Sequence, residues 1–363
     1  MTSLNLFRVI SFTLLTLVAG RSVAEMSVRV EKPDWYKVIS GNSSWYIELD
    51  GEFDVGAAIR VAAALEAAGT DGADIYINSP GGNLMEGMRI GRLIRKSGAN
   101  TYIGTLARDS KKNFAGKIGL TQVPGYCYSA CALAFLGGIY RYAWEPVKYG
   151  VHRFSSSAAA TSGDLDVGQI VAASIGAYIK EMDVGPALFS LMVEQGRESM
   201  RLLTTSELAT LNVSNNGRQK PTWSIEVIEG GQYLRGVQAT NFGEGKAALF
   251  CEKGQVVYYS FYQAGTEQSR SIARGGWFHS LLVDGRTVAL PDSIRAKASG
   301  QEISAAIPLT REQVLSIAGS SKVGHAMQLG RDAPTFVGYQ IDIPSTASRR
   351  VSTFLRNCLV ASR

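Results

Sequence analysis

Residues 73–96 read ADIYINSPGGNLMEGMRIGRLIRK, and this stretch decides the fold. Residues 73–78 alternate in polarity and are rich in isoleucine and tyrosine, which predicts a β-strand. The SPGG sequence at residues 79–82 is a strong turn signal. Apolar side chains at helical spacing then predict a helix over residues 84–96. The chain therefore passes from a strand, through a glycine-rich turn, directly into a helix.

The same alternation continues on both sides of this stretch. Strands are predicted over residues 44–49, 101–103 and 147–152, and helices over residues 55–68 and 164–182. Residues 106–124 are polar and contain glycine and proline, so we expect a surface loop there. Strands that alternate with helices are typical of an α/β fold, which we expect for residues 25–213.

The character of the sequence changes after Val213. Residues 214–221, SNNGRQKP, have the composition of a linker. Beyond them, short β-rich runs are separated by glycine and polar turns. This pattern predicts a smaller, mainly-β C-terminal domain over residues 222–363.

Residues 1–24 have the features of a signal peptide. Arg8 supplies a positive start, residues 9–20 are apolar, and Ser22-Val23-Ala24 places small residues at the cleavage positions. A membrane-spanning helix needs about 20 apolar residues, so an uncleaved membrane anchor is the less favoured alternative. We expect export, most simply to a bacterial periplasm.

The formal net charge is +6, but lysine and arginine do not cluster along the chain. Proteins that bind nucleic acids usually carry a clustered basic face, so we expect no nucleic-acid partner. The whole chain has three histidines, His152, His279 and His325. We read the last two as ordinary surface or packing residues, and we predict neither a metal site nor a cofactor.

Four cysteines allow three disulfide pairings. The simplest pairing joins neighbours within each domain, which gives Cys127–Cys131 and Cys251–Cys358. A metal site at the first pair is the competing interpretation, and it lacks candidate histidines nearby. Disulfides would also fit an exported protein.

Residues 127–131, CYSAC, place Ser129 at the start of a small-residue apolar helix. A serine in this position is often only a helix cap. The helix dipole would also favour negative charge there, and the N–H of Ala130 could donate to an oxyanion. The sequence leaves open whether Ser129 is a cap or a nucleophile.

Two further segments bear on this choice. Gly81 and Gly82 can turn backbone N–H groups toward a cleft without side-chain obstruction, although such a sequence is also an ordinary turn. His152 is the only histidine in the first 278 residues and follows a predicted strand. A structural role is the common one for a single histidine, but a hydroxyl nucleophile needs such a base beside it.

The order of these segments resembles the proteolytic subunit of Clp protease, within the Clp/crotonase superfamily. The resemblance is carried by WYIELDGEFD (residues 45–54), IYINSPGGNLMEGMRIGRLI (75–94), the Ser129 and His152 segments, and LTTSEL (203–208). It covers roughly residues 44–213 and implies a ββα spiral domain. The paired cysteines and the leader indicate an exported branch.

The resemblance implies a role for each site residue. Ser129 would be the nucleophile and His152 the general base, with an oxyanion hole formed by the N–H groups of Gly82 and Ala130 and shaped by Gly81. The family supplies an aspartate just before its closing segment, but no aspartate lies between Asp183 and Asp284. Glu198 is nearest to the expected place, and Glu194 is the reserve.

The expected function is that of an exported, ATP-independent serine peptidase acting on peptides or unfolded protein. An exported enzyme has no nearby ATP supply, so we expect no ATPase partner, and the resemblance implies a homo-oligomer. The alternative is a catalytically silent binding or scaffold protein of the periplasm. The missing aspartate and the cysteines beside Ser129 favour that alternative.

Overall fold

The computed structural model describes residues 25–31, 45–69, 72–112, 118–146, 148–154, 164–196, 198–331 and 333–360. The predicted signal peptide, residues 1–24, lies outside the described residues. The protein is a mixed α/β structure with two hydrophobic cores, one drawn from residues 26–213 and one from residues 223–359. Within the described residues, no helix is both long and apolar enough to cross a membrane.

The first part of the chain alternates strands and helices. Its elements are β1 (Ser27–Glu31), β2 (Trp45–Asp50), α1 (Ala57–Ala68), β3 (Ala73–Asn78), α2 (Leu84–Ser97), β4 (Asn100–Ile103), β5 (Thr105–Lys112), β6 (Ile118–Val123), β7 (Tyr126–Tyr128), α3 (Ala130–Phe135), β8 (Arg141–Tyr142), β9 (Lys148–Val151), α4 (Asp164–Glu181), α5 (Ala187–Glu194), β10 (Arg201–Leu202) and α6 (Thr205–Thr210). One sheet has the order β1-β2-β3-β4-β8, and all of its pairs are parallel except β1 with β2.

A second, shorter layer repeats beside this sheet. After each parallel strand the chain forms a short extended segment and then a helix. Parallel bridges connect these short segments in chain order, from Phe53 to Gly82 and from Ser79 to Cys127. The series ends with β7 pairing in parallel with β9. The strand–segment–helix unit therefore recurs along the chain, and parallel bridges join its short segments side by side.

Small residues on α2 allow α3 to pack closely against it. A β-carbon on Gly87 would collide with the backbone of Ala130, and one on Gly91 would collide with the hydroxyl of Tyr178. Every residue of α3 is buried. The glycines of α2 thus fix the depth at which α3, and the turn that precedes it, lies in the core.

The prediction of a surface loop over residues 106–124 is wrong, because β5 and β6 form an antiparallel hairpin. Its polar sequence lacks a strong apolar stripe, so the pattern gave little strand signal. Tertiary hydrogen bonds anchor it instead. Leu106 N donates to the buried carboxylate of Glu48 at 2.7 Å, and Gln122 Nε2 donates to Ile103 O at 3.0 Å.

The second part of the chain is built mainly from strands. Its elements are β11 (Thr222–Ile228), β12 (Gly231–Thr240), β13 (Gly243–Glu252), β14 (Gln255–Gln263), α7 (Thr266–Ala273), β15 (Phe278–Val283), β16 (Arg286–Ala289), β17 (Ala296–Ser299), β18 (Glu302–Pro308), α8 (Arg311–Ala318), β19 (Lys322–Gln328), β20 (Val337–Asp342) and α9 (Ser345–Val360). The strands form two sheets, ordered β11-β12-β13-β14-β18-β17 and β16-β15-β19-β20. A core of Leu, Ile and Val side chains joins the sheets and α9.

Residues 214–221, which have the composition of a linker, hydrogen-bond to both parts of the chain. Ser214 Oγ donates to Arg141 O at 2.9 Å, and Arg218 forms an ion pair with Asp342 at 3.0 Å. Arg141 is 2% exposed, and its guanidinium donates to the carbonyls of Val213, Gly138 and Asn212. Burial lowers the pKa of Arg141 to about 10, so it stays charged at neutral pH. This segment is a packed junction.

The structure contains both disulfides expected from the sequence, Cys127–Cys131 and Cys251–Cys358. They fit an exported protein, because disulfides persist in oxidising compartments. The second one joins β13 to α9 across a sequence separation of 107 residues.

Replacing both Cys251 and Cys358 by serine is expected to lower the free energy of unfolding by about 2–4 kcal/mol, because the bond restricts a long loop in the unfolded chain. Urea unfolding followed by circular dichroism measures the change. The matched control replaces Cys127 and Cys131, which lie four residues apart and constrain far less chain. An equal or larger loss of stability in the control would contradict the loop argument.

A buried polar chain links the two sheets of the second part. His325 Nδ1 lies 2.8 Å from Ser260 Oγ, and His325 Nε2 lies 3.0 Å from His279 Nδ1. Burial lowers the pKa of His325 to about 3, and burial together with Arg295 lowers the pKa of His279. Both imidazoles are therefore neutral in the folded protein at neutral pH.

Stability is expected to fall as the pH drops below about 6.5, because the unfolded chain then binds protons that the folded histidines reject. The protonation of His325 in the unfolded chain alone lowers the free energy of unfolding by about 2 kcal/mol between pH 7 and pH 5. Urea midpoints at pH 7 and pH 5 measure this, and His325→Gln should flatten the dependence. His152→Gln is the control and should keep the wild-type slope; a variant His325→Gln with that same slope would count against the assignment.

Candidate active site

Ser129 sits in a sharp turn between β7 and α3. Its backbone has φ 57° and ψ −120°, which a residue with a side chain rarely adopts. The turn is held by hydrogen bonds from Ser129 N to Gly150 O and from Ala132 N to Ser129 O, both 3.0 Å. A strained strand-to-helix turn of this kind presents a serine hydroxyl at the top of a sheet.

The side chain of Ser129 does not cap α3, since its hydroxyl makes no hydrogen bond to the first turn. Of the two interpretations that the sequence left open, the cap is therefore wrong. The residue is 8% exposed, and its hydroxyl has no hydrogen-bond partner among the described residues. An ordinary cap residue has an extended backbone and bonds its helix, and Ser129 does neither.

Gly81 lies directly against this turn. A β-carbon on Gly81 would lie 2.7 Å from Ser129 Cβ, 2.7 Å from Tyr128 O and 3.1 Å from Ala130 N. The SPGG turn and the serine turn are thus in van der Waals contact, and only glycine fits at this position. The structure brings together two segments that are nearly 50 residues apart in the sequence.

The amide groups of Gly82 and Ala130 are left unpaired beside the turn. Phe53 N donates to Gly81 O and Asn83 N donates to Phe53 O, both at 2.7 Å. The bridge between Phe53 and Gly82 therefore uses the carbonyl before Gly82 and the amide after it, and the amide of Gly82 itself takes no part. Across the described parts of the chain, neither Gly82 N nor Ala130 N donates a hydrogen bond. Ala130 follows Ser129 directly, and Gly82 follows the glycine that contacts Ser129, so both amides are candidate donors for an oxyanion hole.

His152 follows the last residue of β9, the strand that accepts the hydrogen bond from Ser129 N. Its Nδ1–H donates to the carbonyl of Arg153 at 3.0 Å. This bond selects the tautomer in which Nε2 carries a lone pair, as a general base needs. Both side chains lie in described residues, and no hydrogen bond joins them. The structure therefore places His152 directly after the neighbouring strand, without a hydrogen bond to Ser129.

No carboxylate hydrogen-bonds His152 among the described residues. Glu198 is exposed in the turn between α5 and β10, and Glu194 is exposed at the end of α5. The segment that contains Glu198 runs beside the histidine, because Arg153 N donates to Gln195 O at 3.1 Å and Arg201 pairs with Val151. The assignment of Glu198 as third member stays a prediction.

Sequence reasoning missed Gly150 and Met200. A β-carbon on Gly150 would lie 2.7 Å from Met200 Cγ and 2.7 Å from the ring of Tyr128, so three chain segments converge at this glycine. A glycine inside a predicted strand, two residues before a candidate base, was the available signal. Met200 lay in a segment without any periodic pattern, so nothing marked it.

The Cys127–Cys131 disulfide joins the two residues that lie two positions before and two positions after Ser129. Its Cα atoms are 5.2 Å apart, and both cysteines are fully buried. Because each sulfur is committed to the other, this pair does not bind a metal. Throughout the described ranges, no group of three or more His, Cys, Asp and Glu side chains could hold a metal ion.

Gly81→Ala is expected to displace Ser129, because the new methyl group would overlap the serine and the backbone of Tyr128. Gly98→Ala is the matched control, since Gly98 also has positive φ (72°) but a β-carbon there meets no atom within 4 Å. The control should lose about 1 kcal/mol of stability from strain alone. Gly81→Ala should lose more and should also abolish reaction of Ser129 with a fluorophosphonate. Equal stability and equal reactivity in the two variants would refute the packing argument.

Comparison with known proteins adds no assignment for this site. A scan against protein-family models finds no match, and a search of curated proteins finds no similar sequence. The chemistry of the site must therefore be argued from the residues and their geometry.

Proposed function

We propose that the protein is an exported serine hydrolase of the peptidase type, with Ser129 as its nucleophile. One observation carries this proposal: Ser129 adopts a strained turn against Gly81, its hydroxyl bonds no described residue, and the neighbouring amides of Gly82 and Ala130 donate to none. Strain that serves no capping or packing bond is a feature of functional sites.

The recurring strand–segment–helix unit supports assigning residues 25–213 to a Clp/crotonase-like spiral. In such a spiral, successive turns carry the SPGG loop, the serine and the histidine. The parallel bridges from Phe53 to Gly82 and from Ser79 to Cys127 connect successive turns in the same order. This classification rests on the resemblance and on that repetition together.

In the proposed mechanism, Ser129 Oγ attacks a peptide carbonyl and His152 Nε2 accepts the serine proton. The amides of Gly82 and Ala130 donate to the tetrahedral oxyanion, and His152 then protonates the leaving amine. Loss of one such amide donor typically lowers the rate by about 10²–10³. Water then attacks the acyl-serine with His152 as base, which frees Ser129 again.

The carbonyl of Arg153 takes over part of the role of a triad carboxylate. It accepts from Nδ1–H and orients the imidazole, but it carries no full charge to stabilise the imidazolium. A hydrogen bond between Ser129 Oγ and His152 Nε2 requires the imidazole to approach the serine. Substrate binding would bring the two side chains together, because catalytic hydrogen bonds often tighten only in the complex.

The substrates of this site would be peptides or unfolded segments. Tyr128, Met200 and Leu202 place apolar surface beside the serine turn, and the last two are exposed by 37% and 46%. We assign the protein to the periplasm on the strength of its apolar leader and its two disulfides. It would act without an ATPase and as a homo-oligomer.

A fluorophosphonate probe tests the proposal directly. Wild type is expected to be labelled, Ser129→Ala not at all, and His152→Ala about 10²–10⁴ times more slowly. The control Ser348→Ala replaces an exposed serine of α9 and should be labelled at the wild-type rate. Glu198→Gln should also slow labelling if Glu198 is the third member.

Equal labelling of wild type and Ser129→Ala would sink the proposal. The absence of a hydrogen bond between Ser129 and His152, both of which the structure describes, favours a second candidate. This candidate is a binding or scaffold protein that keeps the fold without catalysis. Complete absence of labelling in the folded, oxidised wild type would support that candidate. Labelling that Ser129→Ala abolishes would exclude it.

A further inference from the structure

Strand β11 forms one edge of the six-stranded sheet and pairs only with β12. It leaves three apolar side chains in solvent: Ile225 is 44% exposed, Val227 82% and Ile228 46%. Proteins usually protect an edge strand with charges, prolines or a covering element, because its free backbone groups pair with other chains. An uncovered apolar edge therefore calls for an explanation.

The outer edge of β11 has one hydrogen-bond partner among the described residues. Arg350 Nη1 donates to Trp223 O at 2.5 Å. Backbone groups of an antiparallel strand alternate in direction, so the N–H and C=O groups of Ile225 and Val227 point the same way as Trp223 O. These groups are available to one further strand.

A cavity of about 680 Å³ lies between β11 and α9. Its apolar lining includes Ile225, Phe354 and the Cys251–Cys358 disulfide, and its polar lining includes Arg349 and Thr353 from α9. This volume is within the usual range of about 300–1,000 Å³ for ligand pockets. We call this cavity, together with the outer edge of β11, the β11–α9 groove.

The charged side chains that line the cavity are positive. Arg349 and Arg350 both line it, no acidic side chain is among its described lining residues, and Glu226 of β11 is paired with Arg235. Arg349 is exposed and forms no ion pair or hydrogen bond with any described residue. Guanidinium groups bind carboxylates through charge-assisted hydrogen bonds, often two at once. The groove thus combines an open strand edge, an apolar floor and a free cation.

We propose that the β11–α9 groove binds the C-terminal end of an extended polypeptide. The peptide backbone adds to β11 as a new edge strand, which is a recurring mode of peptide recognition. Its terminal carboxylate binds Arg349, and an apolar side chain near its end packs on Ile225 and Phe354. Because Arg350 bonds Trp223, the two arginines lie near the start of β11, so the peptide runs antiparallel to that strand.

This inference does not rest on the proposed hydrolase, because the groove belongs to a different hydrophobic core from Ser129. The test accordingly uses the Ser129→Ala chain, in which no cleavage can confuse binding. The probe is an N-terminally fluorescein-labelled octapeptide of alternating serine and valine that ends in valine with a free carboxylate. The control probe has the same sequence with an amidated C-terminus.

Fluorescence anisotropy is expected to show saturable binding of the free-acid peptide, weakened about tenfold by amidation or by Arg349→Ala, as the loss of a charge-assisted bond implies. Val227→Pro removes an outward N–H at an 82% exposed edge position and should also weaken binding. Val227→Thr is its control and should bind normally. Arg349→Glu serves as a second charge variant, and urea midpoints check that each variant folds.

Three outcomes would overturn the proposal. One is no saturable binding of the free-acid peptide, and another is equal affinity for the acid and the amide. The third is a chain that dimerises in sedimentation velocity and becomes monomeric in Val227→Pro without binding peptide, because a second copy of the chain would then occupy the edge.

Discussion

The backbone of Ser129 is the constraint on which the candidate site depends. Its positive φ costs about 1–3 kcal/mol, and the surrounding structure must hold it there. The hydrogen bond from Ser129 N to Gly150 O ties the turn to β9, and the contact with Gly81 ties it to the SPGG loop. Because these two contacts come from opposite sides of the turn, Ser129 is held between the SPGG loop and β9.

The short helix α3 is buried over all six of its residues, and two of its carbonyls accept side-chain hydrogen bonds inside the core. Two tyrosines supply them: Tyr149 donates to Ala132 O at 3.0 Å, and Tyr178 donates to Leu133 O at 2.7 Å. Burial raises the pKa of both hydroxyls, so they are protonated donors at neutral pH. These two bonds hold α3, and with it the turn that precedes it, in the core.

Sequence reasoning succeeded where the signal is local. A strand, the SPGG turn and a helix follow one another in residues 73–96, and CYSAC marks a turn with cysteines close enough to pair. It failed where distant residues decide the structure. The β5–β6 hairpin is anchored on Glu48, so it could not be recognised from composition. Composition also gives no sign of the hydrogen bond from Ser214 to Arg141 O within residues 214–221. The hydrogen bond from His152 to the Arg153 carbonyl is equally invisible, because every residue carries a carbonyl.

The packed junction has a consequence for the two proposed sites. Gln219 Nε2 donates to Ile139 O at 2.7 Å, while Gln238 Nε2 donates to Gln219 O at 2.8 Å, so one glutamine bonds both parts of the chain. Together with the Arg218–Asp342 ion pair, these contacts oppose free rotation about residues 214–221. A flexible linker would let a bound chain end sample many distances from Ser129. A packed junction instead holds the groove and the serine at a set separation, so a polypeptide anchored by its end would present a limited window of its length to the serine.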